Sequence, residues 1–126
     1  MSIFEGINKV IKQLSPMKSS ITLFHYIDED IKIDIVARFD GDNLIIDGYD
    51  IGKRVEEAWG DSDYEYIMTI PACNLPQLYR LLDVEVGDRR ALLETLAIRF
   101  NGNKCFSALG EFLDKNSIEH DTFTWT

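Results

Sequence analysis

The chain has 126 residues, 45% hydrophobic and 28% charged, with a formal net charge of −9 and two cysteines. Those proportions suit one folded domain with a single core and exclude a disordered chain, and no apolar run approaches the ~20 residues of a membrane span. Thirteen Asp and Glu against four Lys and Arg fall between Asp28 and Glu65, so this segment alone carries a surplus of −9. A phosphate backbone is held by clustered Lys and Arg, so nucleic acid is not the expected ligand. A cationic partner is, set against the plainer reading of a solvated acidic face.

Taken in order, Ser2 and Glu5 form a capping box, and Ile3, Phe4, Ile7, Val10, Ile11 and Leu14 follow at helical spacing. The spacing predicts an amphipathic helix ending near Ser15-Pro16. Its polar face carries only Lys9 and Lys12, so packing against a core is expected rather than anchoring to a membrane. A basic start followed by an apolar block is missing, which makes the cytoplasm the expected compartment and free thiols the expected state of Cys73 and Cys105.

Ile21 to Ile27 reads as a strand. After Asp28-Glu29-Asp30, residues Ile31, Ile33, Ile35, Ala37 and Phe39 alternate with Lys32, Asp34, Val36 and Arg38, which predicts a strand with one buried face. Asp40-Gly41-Asp42-Asn43 is a turn into a short strand over Leu44, Ile45 and Ile46, which Asp47-Gly48 is expected to stop. Ile51, Val55, Ala58 and Trp59 give a short helix closed by Gly60, and Tyr64, Tyr66, Met68 and Ile70 alternate as a fourth strand.

The second half turns helical. Asn74 is a plausible cap for a helix with Leu75, Leu78, Tyr79, Leu81 and Leu82 inward; Asp88 caps one with Leu92, Leu93, Leu96, Ala97 and Phe100 inward. Asn103 caps a third, burying Cys105, Phe106, Leu109, Phe112 and Leu113, and Ile118 to Trp125 is β-prone with Phe123 and Trp125 on one face. The expected fold is therefore α+β: a single domain in which an antiparallel sheet of four to five strands packs against several helices.

Chemistry-bearing motifs are missing. The glycines are scattered singly, with no phosphate loop, dinucleotide fingerprint or nucleophile elbow. Cys73 has no spacing that would pair it with His25 or His120, and Asp40-Gly41-Asp42-Asn43 fails as a calcium loop because Ile51 stands where the closing Glu belongs. Asp47, Asp50, Asp61 and Asp63 flank one helix and form the candidate for a divalent-metal or small-molecule enzyme, although turns and caps are the commoner work of Asp there. No catalytic residue, metal or cofactor is expected. An adaptor protein is a further alternative.

The run IDGYDIGKRVEEAWGDSDYEY, the leucine-rich helices, the Phe-Asn-Gly turn at 100 to 102, Phe106, Phe112-Leu113 and the terminal Phe-x-Trp resemble small bacterial immunity proteins of contact-dependent growth inhibition and related polymorphic toxin systems. The likeness spans roughly residues 30 to 126. It implies a cytoplasmic, non-enzymatic protein that binds and neutralises a cognate toxin domain, many such toxins being nucleases. A nuclease cleft is basic, and carboxylates from one acidic segment would compete for it and be steered toward it. The expected contact surface is the acidic turns, Asp28, Glu29 and Asp30, Asp40 and Asp42, and Asp61 and Asp63, with Tyr49 as an aromatic anchor. Tyr64 and Tyr66 share a face with Met68 and Ile70, so core packing is expected of them.

Overall fold

A computed structural model of the chain describes residues 19–60 and 63–125. The helix expected over residues 2–14, and Asp61 of the acidic turns, lie outside them. The period-two segments become five strands, β1 (Ser20–Ile27), β2 (Ile31–Asp40), β3 (Asn43–Gly52), β4 (Asp63–Ile70) and β5 (Asp121–Trp125). They pair antiparallel in chain order as one sheet. Four α-helices are described: α1 (Lys53–Trp59) between β3 and β4, and α2 (Leu75–Leu81), α3 (Arg89–Arg99) and α4 (Cys105–Lys115) between β4 and β5.

Register sorts the side chains into two faces. The rows Phe39–Leu44–Ile70, Ala37–Ile46–Met68 and Ile35–Gly48–Tyr66 run across β2, β3 and β4 on the inner face. Ile35, Ala37, Leu44, Ile46, Met68 and Ile70 there are at most 1% exposed. The three helices after β4 add Leu78, Leu92, Leu96, Leu109 and Leu113, so sheet and helices close on one core. Each such side chain contributes about 1.5–3 kcal/mol by leaving water. A bulge between Thr22 and Phe24 breaks the alternation of β1, so that Leu23 is buried and Phe24 packs against the same core.

The helix ends show which local signals hold. Asp88 caps α3, its carboxylate accepting from the Ala91 N–H at 3.1 Å. Gly60 closes α1 in the left-handed conformation and donates to Glu56 O. Val55 of α1 is buried, but Ala58 is exposed, so its apolar face is narrower than expected. Asn74 holds the cap position of α2 as expected, but its side chain makes no cap hydrogen bond; its amide Nδ2 donates instead to Glu119 O at 2.9 Å, tying the start of α2 to the approach of β5. Asn103 does not cap α4, since Lys104 holds the cap position.

The larger departure is in β3. Asp47-Gly48 does not end the strand, which runs on for ten residues to Gly52. Asp47 lies on the outer face within 3.4 Å of the Arg38 guanidinium on β2. Gly48 is buried opposite Tyr66, whose ring crosses the strand where a side chain would otherwise stand. A dipeptide that turns when its surroundings permit is held extended by neighbours on both sides.

Candidate functional site

A meander places successive turns at opposite ends of its sheet. The turn at 28–30 and the turn at 40–43 bracket the single strand β2, ten residues long, and so stand roughly 30 Å apart at ~3.3 Å per residue. The expected contact surface is therefore corrected: Asp40 and Asp42 do not share a surface with Asp28, Glu29 and Asp30. Asp42 also has local work. Arg89, at the start of α3, donates to Asp42 Oδ1 at 2.8 Å and to Gly41 O at 3.0 Å, with its guanidinium 4.5 Å from the Phe39 ring centre. That clamp fastens the hairpin to the helical layer.

At the other end, Asp28 is a turn former. Its Oδ1 accepts the N–H groups of Asp30 and Ile31 at 2.7 and 2.9 Å, and its Oδ2 accepts the Tyr26 hydroxyl at 2.7 Å. Glu29 and Asp30 are left exposed. Gly52 then decides what stands beside them. It enters α1 at φ 134°, and a Cβ there would meet Asp30 O at 2.5 Å and the Ile31 Cα at 3.0 Å. Only a residue without a side chain lets the helix start against that turn. Glu56 and Glu57, exposed on α1, thus join Glu29 and Asp30 at one end of the sheet.

Tyr49 and Asp63 are joined on the outer face, where the Tyr49 hydroxyl donates to Asp63 Oδ2 at 2.9 Å. That hydrogen bond to a carboxylate, with partial desolvation behind it, raises the phenol pKa. Glu65 lies directly across from Tyr49. Of the expected site residues, then, the fold brings Glu29, Asp30 and Asp63 to one end with Tyr49 nearby, uses Asp28 internally and sends Asp40 and Asp42 away. Glu56 and Glu57 stand at this same end although neither sits in a turn. The Val-Glu-Glu-Ala sequence, with Val55 inward and two acids following, was the available signal.

The carboxylate cluster proposed for metal or small-molecule chemistry does not converge. Asp47 faces outward to Arg38, whereas Asp50, three residues on, faces inward to Tyr66. Among the described residues no group of three or more His, Cys, Asp or Glu is placed to hold a metal ion.

Asp50 is in an unusual setting of its own. It lies on the inner face beside the first turn of α4, and its Oδ1 accepts the Tyr66 hydroxyl at 2.6 Å. Desolvation raises the Asp50 pKa, opposed by that hydrogen bond, and desolvation raises the Tyr66 phenol further still. Burial likewise raises the Cys105 thiol, 1% exposed on the inward side of α4. A folded-state pKa above the unfolded one means that Asp50 favours folding in full below the ordinary aspartate value of about 3.9. That contribution is lost as pH rises through the folded value. Asp50→Asn should consequently raise the thermal midpoint at pH 7, with the gain fading as pH falls through that range. Melting curves of both proteins between pH 3 and 7 measure this, and a lower midpoint for Asp50→Asn at neutral pH would contradict it.

No protein-family model matches the chain, and no curated protein or solved structure matches it. Among the described residues no helix is long and apolar enough to cross a membrane.

Proposed function

We propose that the protein is an immunity-type inhibitor, acting in the cytoplasm, that neutralises a toxin domain by laying an acidic surface over its basic active cleft. The observation that carries this reading is the close approach at Gly52, which gathers exposed carboxylates from a turn and a helix more than twenty residues apart into one end of the sheet. Glu29, Asp30, Glu56 and Glu57 are the contact residues, with the Tyr49–Asp63 pair beside them on the outer face. Nothing in such inhibition turns over. Occlusion and electrostatic steering suffice.

The test uses the toxin domain encoded beside the gene for this chain, the expected source being a large secreted protein with a variable C-terminal region. Association with the wild type should slow as salt rises, because steering between exposed charges is screened beyond about 8–10 Å at physiological ionic strength. Glu56→Lys with Glu57→Lys should lower the association rate at least tenfold at low salt and abolish protection. Asp40→Lys, at the opposite end, should leave both unchanged. Equal effects of the two changes, or none from the first, would remove the acidic-end mechanism.

A further inference from the structure

Asp50 is inward-facing and half-buried, and among the described residues it pairs with no Lys or Arg; it accepts the Tyr66 hydroxyl and nothing else described. A partly desolvated carboxylate without a cation gains from one that arrives to pair with it. It sits in an open cleft of about 320 Å³ whose other walls are Tyr64, Tyr66 and Phe106, with the polar groups of Asn103, Ser107 and Thr124 around the rim. We infer that this cleft receives one arginine side chain from a protein partner, the guanidinium meeting Asp50 alongside the aromatic cluster.

Three features select a guanidinium. The rings are arranged as a set: Phe106 meets Tyr66 edge-to-face at 4.8 Å, and Tyr64 is tilted against Tyr66 at 5.4 Å. Aromatic faces attract a cation, and a planar one can also stack on them. Besides the tyrosine hydroxyls, the polar groups are a carboxylate, two aliphatic hydroxyls and a carboxamide, offering acceptors in several directions. Five N–H donors in a rigid plane can use such a spread, whereas an ammonium group has three on a single atom. The volume lies at the lower limit of small-molecule sites, ~300–1,000 Å³, which is room for the end of a side chain.

A second cleft of about 320 Å³ shares Asn103 with the first and is lined otherwise by Phe24, Tyr26, Ile31 and Ile33. A free guanidine would leave this apolar neighbour wet. A polypeptide carrying an apolar residue beside its arginine would cover both, which commits the proposal to a protein partner. The charge agrees, since the chain carries −9 and Glu29, Asp30, Glu56 and Glu57 crowd this same end of the sheet. The receptor is also pre-shaped: the Tyr66 ring lies over Gly48, which points its hydroxyl at Asp50 two residues further along β3.

This inference rests on reading the chain as a partner-binding protein, but its test does not use the toxin. The full chain, labelled for amide NMR, is titrated with acetyl-Leu-Arg-amide, with the citrulline counterpart, which keeps the shape and removes the charge, and with agmatine. The arginine peptide should shift Asp50, Tyr66, Asn103 and Ser107 and bind at least tenfold more tightly than the citrulline peptide. Asp50→Asn should lose at least tenfold in affinity while melting no lower than the wild type, and Phe106→Leu should lose several-fold. Equal binding of the two peptides, shifts centred elsewhere, or undiminished binding by Asp50→Asn would overturn the assignment. Agmatine binding more tightly than the arginine peptide would overturn the protein source in favour of a small guanidine. Failure here with a retained effect of Glu56→Lys and Glu57→Lys on toxin association would remove the cleft and leave the acidic end. The converse result would leave an arginine receptor without the immunity reading.

Discussion

Gly48→Ala should destabilise the protein by about 3 kcal/mol, the upper range for forcing a methyl group into a packed core. An ideal Cβ at this position falls inside the Tyr66 ring, on atoms Cδ2, Cε2 and Cζ. The ring cannot yield cheaply. Phe106 abuts it edge-on, Tyr64 packs beside it, and its hydroxyl is committed to Asp50. In a Tyr66→Ala background the same substitution should cost little or even stabilise, because alanine suits a strand better than glycine once the ring is gone. Urea unfolding of the four proteins of that cycle gives the coupling directly. Equal costs in both backgrounds would mean that the ring is not what requires glycine.

Gly52→Ala is expected to cost at least as much, for a different reason. Its φ of 134° lies where side-chain-bearing residues are strained, a penalty of about 1–3 kcal/mol. The new Cβ also meets backbone, Asp30 O and the Ile31 Cα, which cannot rotate aside as a side chain can. The turn at 28–30 must then part from α1. Two measurements separate this local parting from a general loss of stability. Amide exchange at Asp30 and Ile31, whose N–H groups are held by Asp28, should quicken more than exchange in α3 and α4. The salt-dependent association proposed for the acidic end should also weaken. Uniform acceleration of exchange across the molecule would contradict the assignment of Gly52 as the joint between turn and helix.

Much of the sheet was legible because its chemistry is local. The alternation from Ile31 to Phe39 and the turns at 28–30 and 40–43 are written in adjacent residues, and so is the Asp88 cap. What failed depended on partners distant in sequence. Asp47-Gly48 looks like a turn until Arg38 and Tyr66 are set against it from the two flanking strands. Asn74 stands at the cap position, but its side chain is turned to Glu119 O, 45 residues later, and not to the N–H groups of the helix. The acidic segment was plain in the charge map, but its division between two ends follows from the meander: turns on either side of one strand cannot meet. Asp47 and Asp50 both flank the short helix in sequence, and their opposite facing follows only once β3 continues past Gly48.

Strand β5 is the outermost of the sheet, with all five of its residues exposed and the Phe123 and Trp125 rings 5.1 Å apart on its outward face. An open margin of amides and carbonyls is an invitation to stack copies edge to edge, and edge strands are commonly defended by lysine, proline or a kink. Within β5 itself, Asp121 is the one charged residue. At neutral pH the shared negative sign of every copy holds them apart, so the same carboxylates that would draw in a basic partner also keep the molecule dispersed. Mild acid near the isoelectric point of about 4.6, where the net charge passes through zero, is the condition under which the margin becomes a seam for aggregation.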